Sequence, residues 1–138
     1  MFWLYATLTW LGFAALAVAL GTLRVLFLEP LTGEPVAHVT GTLLVCALFL
    51  VIIYRFVRWT NLSAPGARRK SRLVALGLFW TILTIAFEFG FGHYVRGLSW
   101  QLLLADYNLF AGRIWVLVLA TLYAGPRLAA WAMTRRRK

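Results

Sequence analysis

Negative charge is scarce in this sequence. Only four of the 138 residues are Asp or Glu, and all charged residues together make up 13% of the chain. A soluble domain carries roughly 25% charged residues, so the composition excludes an ordinary soluble globular domain. A disordered basic tail is also excluded, because such a segment has low hydrophobicity and this chain is 62% hydrophobic. A membrane protein is the class that remains.

Cysteine and histidine are sparse as well. With a single cysteine, Cys46, no disulfide can form within the chain. The two histidines, His38 and His93, form neither a His-Glu-x-x-His motif nor a histidine cluster of the kind that binds metal. We therefore predict no metal site and no cofactor.

Long apolar runs are abundant instead. A spanning helix needs about 20 mostly apolar residues, and four such runs can be drawn from the sequence. They predict an all-α integral membrane protein, a four-helix bundle forming a single transmembrane domain over residues 1–138. The predicted spans are residues 4–28, 38–57, 73–94 and 108–125. Pro126 is expected to end or kink the fourth helix, and residues 126–138 are predicted to form a basic cytoplasmic tail.

Two of the connections carry local signals. Residues 29–35 contain two prolines and a glycine and are predicted to form a turn-rich loop. The connection before the fourth span, residues 95–107, is too apolar for a solvated loop. It predicts a short interfacial helix on the membrane surface with Ser99 as its N-cap.

The net charge of +10 is distributed unevenly. Eleven of the fourteen basic residues flank the second connection or follow the fourth span, and the positive-inside rule makes that side cytoplasmic. Both termini are then cytoplasmic, most simply in a bacterial inner membrane. The same rule removes the need for a nucleic-acid partner and leaves the lipid bilayer, with anionic lipids at the cytoplasmic face, as the expected partner. The eleven residues are Arg55, Arg58, Arg68, Arg69, Lys70, Arg72, Arg127, Arg135, Arg136, Arg137 and Lys138.

Two opposite charges are predicted at one depth near the outer end. Glu88 lies 16 residues after Arg72, about 24 Å along a helix. Arg113 lies 14 residues before Arg127, about 21 Å by the same rise. Because charges within a membrane usually pair or face the bundle interior, we predict a Glu88–Arg113 ion pair.

Further polar residues are expected at the same outer end. Together with Glu88 and Arg113 they predict an outward-facing ligand-binding or ion-pair pocket. The glycine-rich stretch 88–97 fits either a broken helix end that lines this pocket or an ordinary helix cap followed by a turn. The additional predicted pocket residues are Arg24, His38, His93, Arg96, Asp106, Tyr107 and Asn108.

Helical spacing also predicts which faces turn inward. The second span places His38, Thr42 and Cys46 on one face, and the fourth span places a stripe of small and apolar residues below Arg113. A helix–helix interface with polar ends would explain such stripes without any ligand. The predicted stripe of the fourth span is Leu117, Ala120 and Ala124.

Three functions are compatible with this pattern. The first is binding or transport of a small polar or anionic ligand at the outer pocket, because ionisable groups at membrane depth often mark ligand pathways. A transport pathway would require a homo-oligomer, since four helices enclose little volume. The second is a non-catalytic accessory or assembly subunit of a membrane complex. The third is an enzyme acting on a lipid, with His93 and Glu88 or Asp106 as acid–base groups.

Overall fold

The computed structural model describes residues 1–62, 64–111 and 113–136, so Arg137 and Lys138 of the predicted basic tail lie outside the described residues. Two five-residue π-helical turns, Arg24–Leu28 and Phe91–Val95, continue directly from α1 and α4, and a 3-10 turn, Leu109–Ala111, precedes α6. The α-helices in chain order are α1 (Phe2–Leu23), α2 (Glu29–Thr32), α3 (Glu34–Trp59), α4 (Arg69–Gly90), α5 (Trp100–Ala105) and α6 (Val116–Arg135).

Four helical stretches are long and apolar enough to cross a membrane, which confirms the predicted number of spans and indicates a membrane protein. These stretches are Phe2–Thr32, Glu34–Trp59, Arg69–Val95 and Val116–Arg135.

The first connection is far shorter than predicted. Residues 29–35 are helical except at Gly33, where the backbone adopts φ +84°. Pro30 and Pro35 each lie within the first two residues of a helix. A proline is well suited to the start of a helix, because its φ is already helical and the first turn needs no backbone N–H. Pro35 therefore begins α3, and Pro30 lies within the helical stretch that continues from α1, so neither proline forms a loop.

The fourth span is displaced along the sequence. We predicted residues 108–125, but α6 begins at Val116 and continues through Pro126 to Arg135. Pro126 is fully buried, and neighbouring helices in a membrane bundle can compensate for the backbone hydrogen bond that proline removes. As a consequence, Arg113 lies in the connection before α6 and not inside the span.

Helix α6 is the most closely packed of the four long helices. It lies against both α3 and α4. At Gly77 of α4 the backbones approach so closely that an added methyl group would overlap the Tyr123 carbonyl oxygen. Gly125 of α6 provides similar room for the Ile53 side chain of α3. Close approach through small residues is the usual way in which membrane helices associate.

The first helix packs on the same core through Trp80 of α4. The Trp80 indole is fully buried, and its Nε1 donates a hydrogen bond of 2.9 Å to the carbonyl oxygen of Ala6 in α1. Its ring meets Phe13 and Phe56 edge-on, with centroids 5.2 and 5.3 Å away. These aromatic contacts join α1, α3 and α4 at the middle of the bundle.

The inward faces agree with the prediction in α3 but not in α6. His38, Thr42 and Cys46 are all buried, as the spacing in the second span predicted. In α6 the predicted face is wrong, since Leu117 and Ala120 are exposed. The buried face is turned by about one residue and consists of Val118, Leu122, Gly125, Pro126, Ala129, Ala130 and Met133.

The short helix before the fourth span is present as α5. The Ser99 side chain caps it by accepting a hydrogen bond of 3.3 Å from the backbone N–H of Leu102. Its position at a membrane surface stays a prediction.

The long helices alternate in direction, so the bundle has two chemically different ends. The first contains the start of α1, the ends of α3 and α6 and the start of α4, and we call it the basic end. Both Met1 and Arg136 lie there. The second, the polar end, contains the ends of α1 and α4 and the starts of α3 and α6. All four acidic residues lie at the polar end: Glu29, Glu34, Glu88 and Asp106.

Candidate ligand site at the polar end

A direct contact between Arg24 and His38 joins α1 to α3 at the polar end. Arg24 is the first residue of the π-helical turn after α1, and its Nη1 donates to Nδ1 of His38 at 2.9 Å. The guanidinium also lies 3.6 Å from a carboxylate oxygen of Glu29. Gly41, one turn along α3 from His38, makes room for this side chain, because a Cβ there would lie 2.9 Å from Cδ of Arg24.

The Arg24–His38 bond determines the protonation of the imidazole. A guanidinium can only donate hydrogen bonds, so Nδ1 of His38 must accept and the proton of a neutral ring must sit on Nε2. The His38 residue is only 5% exposed. Neither its Nε2 nor the Nε of Arg24 has a hydrogen-bond partner among the described residues, and both atoms are buried. Each of the two contacting side chains therefore has one buried donor without an acceptor among the described residues.

Buried polar groups without a partner are uncommon and costly. Leaving a buried donor unsatisfied costs about 1–3 kcal/mol, so a native structure normally supplies a protein, water or ligand acceptor. Arg113, Glu34 and Asp106 are the other charged groups near His38. An acceptor oxygen at each of the two N–H groups would therefore remove this cost.

Glu88 is held by uncharged donors. Tyr107 donates its hydroxyl to one carboxylate oxygen of Glu88, and Trp115 donates its indole Nε1–H to the other. Both carboxylate oxygens are thus engaged. Burial, and then the hydrogen bond to Glu88 and its charge, raise the pKa of the Tyr107 phenol well above its usual range.

The predicted Glu88–Arg113 ion pair is wrong. Arg113 forms its salt bridge with Glu34 at the start of α3, and its Nε lies 4.0 Å from Asp106. The depth argument failed because α6 begins at Val116, so Arg113 is carried on the connection and can reach across to α3. Glu88 instead accepts hydrogen bonds from Tyr107 of that connection and from Trp115, which directly precedes α6.

His93 is part of an aromatic stack. Its ring lies 4.0 Å from that of Trp100 at an interplanar angle of 20°, and Phe89 stacks on both Trp100 and Tyr107. Nδ1 of His93 donates to the carbonyl oxygen of Leu98 at 2.9 Å, because a carbonyl can only accept. A neutral His93 is therefore the opposite tautomer to His38.

The remaining predicted residues lie at the edge of the site. Arg96 is exposed. Asn108 accepts a hydrogen bond of 3.1 Å from the backbone N–H of Phe110 and so shapes its own turn. The structure thus groups the predicted residues into an Arg24–His38 contact, a Glu88–Tyr107 contact and an Arg113–Asp106 contact, with His93 in the adjoining stack.

Three participants were missing from the predicted pocket. Glu29 and Glu34 lie in the segment 29–35 that was predicted as a turn-rich loop, and Trp115 lies in the predicted span 108–125. The available signal was the position of Glu34 four residues before His38, because residues four apart share a helix face. Trp115 gave no comparable signal until the start of α6 was known.

Both π-helical turns occur at this end. Arg24–Leu28 begins with a site residue, and Phe91–Val95 contains His93. Such turns are rare and occur frequently at functional sites.

No family model, curated protein or solved structure matches this chain. Function therefore has to be inferred from the geometry of the chain itself.

Proposed function

We propose that this chain is an integral protein of a bacterial inner membrane that binds a small anion or another small polar ligand at its polar end. The observation that carries the proposal is the pair of buried donors, Nε of Arg24 and Nε2 of His38, that lack an acceptor among the described residues. A ligand with two acceptor oxygens would satisfy both. Glu88, the centre of the predicted pocket, is less suited to contact a ligand because both of its carboxylate oxygens are engaged.

The orientation follows from the positive-inside rule. We place the basic end and both termini in the cytoplasm, so that the polar end faces outward and α5 lies at the outer membrane surface. A ligand would then reach Arg24 and His38 from outside the cell. If transport follows binding, we expect a homo-oligomer, most simply a dimer, to form the pathway.

Binding can be tested by NMR with nitrate, a small anion with acceptor oxygens. The protein, labelled with 15N-histidine, is placed in phosphatidylcholine nanodiscs and titrated with sodium nitrate, using bulky gluconate at equal ionic strength as reference. We expect a saturable shift of the His38 Nε2 signal, with His93 as an internal control. Arg24→Gln should abolish the response, and Arg96→Gln, which alters an exposed arginine at the same end, should preserve it.

A nitrate response that survives Arg24→Gln, or that is equal at the two histidines, would contradict the proposed site. Nitrate uptake into proteoliposomes that depends on Arg24 would extend the function from binding to transport.

An accessory or assembly role is the second candidate. It is favoured by the way in which Glu88 and Arg113 cross-link α3, α4 and the start of α6. This role predicts stoichiometric co-purification with a larger complex from native membranes in mild detergent, and no response to nitrate. We do not propose the lipid enzyme, since the one hydrogen bond of His93 among the described residues is to the backbone of Leu98.

A further inference from the structure

A groove of about 1150 Å³ lies at the basic end, which is the opposite end of the bundle from the Arg24–His38 contact. It runs between the start of α1 and the last turns of α3, and it extends to the residue that follows α6. Arg55 and Arg58 of α3 and Arg136 after α6 line its mouth. This groove is independent of the site proposed above.

The arginines of the groove have no acidic side chain within the bundle to neutralise them, since all four acidic residues lie at the polar end. All three arginines are exposed. Their shared positive charge favours an anionic occupant of the groove.

Apolar side chains form the part of the groove that extends from the arginines towards the middle of the bundle. Leu8 of α1 and Leu50 and Val51 of α3 line it and are 54%, 40% and 57% exposed. Leu50 is eight residues before Arg58, so the apolar wall extends about 12 Å along the helix from that arginine. Tyr5 and Trp59, whose rings meet edge-on at 4.9 Å, lie beside the charges, as aromatic residues do at a membrane interface. The groove thus matches a molecule with an anionic head and an apolar chain.

A second copy of this chain does not meet these requirements. A copy inserted in the same orientation presents its own basic end at this depth, because its acids are all at the other end. A free inorganic anion would neutralise the arginines but would leave the apolar wall uncovered. We propose that the groove binds one anionic phospholipid of the surrounding membrane, with its phosphate at Arg55, Arg58 and Arg136 and one acyl chain along Leu8, Leu50 and Val51.

Native mass spectrometry can test this proposal. The protein is reconstituted in vesicles of equal parts phosphatidylglycerol and phosphatidylcholine with identical acyl chains, and the retained lipids are counted. We expect one phosphatidylglycerol to be retained in preference to phosphatidylcholine. We expect each arginine that contacts the lipid phosphate in the groove to contribute about fivefold to binding, on the scale of one basic side chain at an anionic membrane surface. Arg55→Gln, Arg58→Gln and Arg136→Gln together should therefore remove the preference.

A charge-matched control separates this site from general attraction. Arg68→Gln, Lys70→Gln and Arg72→Gln together remove the same charge from exposed residues of the same end that do not line the groove. This variant should retain phosphatidylglycerol as the wild type does. Leu50→Trp keeps every arginine but fills the apolar wall, and should reduce the retained phosphatidylglycerol severalfold.

The proposal would be overturned by equal retention of the two lipids by the wild type or by an equal loss in the charge-matched control. Full displacement of the lipid by inorganic phosphate, or undiminished retention by Leu50→Trp, would also overturn it. A dimer that Leu50→Trp dissociates would likewise assign the groove to a second copy.

Discussion

The two ends of this bundle differ in the partners of their charged residues. At the polar end every acidic residue of the chain lies among a few basic ones, and carboxylates meet Arg24, Arg113, Tyr107 and Trp115 directly. At the basic end, arginines and lysines gather without acidic side chains. The difference indicates that charged groups at the polar end are stabilised by partners within the protein, because an isolated charge at membrane depth is costly. Charge at the basic end can instead be left to water and lipid headgroups.

The largest expected effect is at Glu88. Glu88→Ala leaves the Tyr107 hydroxyl and the Trp115 N–H without their acceptor, so we expect the free energy of unfolding to fall by about 2–4 kcal/mol. Unfolding by sodium dodecyl sulfate in mixed micelles, followed by circular dichroism, measures this change. Arg58→Ala at the basic end is the comparison and should have almost no effect. Equal losses at the two sites would remove the distinction between the ends.

The contribution of Tyr107 to the free energy of unfolding at the polar end should depend on pH. Tyr107→Phe removes one hydrogen bond to a carboxylate and should lower the free energy of unfolding by about 1.5–2 kcal/mol. Because the pKa of Tyr107 is raised in the fold by burial and by Glu88, its contribution is full below about pH 10, the ordinary pKa of a phenol. It is lost as the pH rises further, since the unfolded phenol ionises first.

The measurement is the difference in unfolding free energy between wild type and Tyr107→Phe at pH 8 and at pH 11. The difference should be smaller at pH 11. A difference that grows with pH would show that Tyr107 does not donate to Glu88.

A substitution at Gly41 tests how closely the Arg24 side chain packs against α3. A methyl group there would press on Cδ of Arg24, and overpacking of this kind costs about 1–3 kcal/mol. The gain in helix propensity on replacing glycine returns about 0.5–1 kcal/mol, so we expect Gly41→Ala to destabilise the protein by roughly 1 kcal/mol.

Gly21→Ala is the matched control, because no atom lies within 4 Å of the added methyl group. It should be neutral or slightly stabilising. The Nδ1 signal of His38 in 15N NMR should change in Gly41→Ala only, and an unchanged signal would mean that Arg24 can move aside without losing its bond to His38.

The smallest expected effect is at Arg113. The side chains of Arg113 and Glu34 are 36% and 47% exposed, and exposed ion pairs contribute about 0.2–1 kcal/mol. We expect Arg113→Gln to lower the free energy of unfolding by that amount at low salt and by less at high salt. Arg72→Gln at the basic end should cost nothing at either salt concentration. A loss for Arg113→Gln that is unaffected by salt would argue against the Glu34 pair.

Much of the polar end could be anticipated from sequence, but its pairing could not. The location of Arg24, His38, Glu88, Asp106 and Tyr107 at one end of the bundle followed from their positions just beyond or near the ends of apolar runs. Which group meets which depended on the start of α6, and a shift of the span boundary from residue 108 to Val116 moved Arg113 out of the membrane segment. This shift of eight residues is larger than the usual boundary error of about two to four residues, and it is enough to exchange partners.

The sequence by itself determined the membrane class, the number of spans and the separation of acidic from basic residues. These depend on hydropathy and charge, which are local properties that add along the chain. Only the tertiary structure decided that Glu88 meets Tyr107 and Trp115, that Arg24 lies on His38 beside Gly41, and which face of α6 is buried. Those contacts depend on how closely the surfaces of two helices fit together. At Gly77, for example, the missing side chain allows the backbone of α6 at Tyr123 to approach α4. Such a fit is a property of two surfaces together and cannot be read from one segment of the sequence.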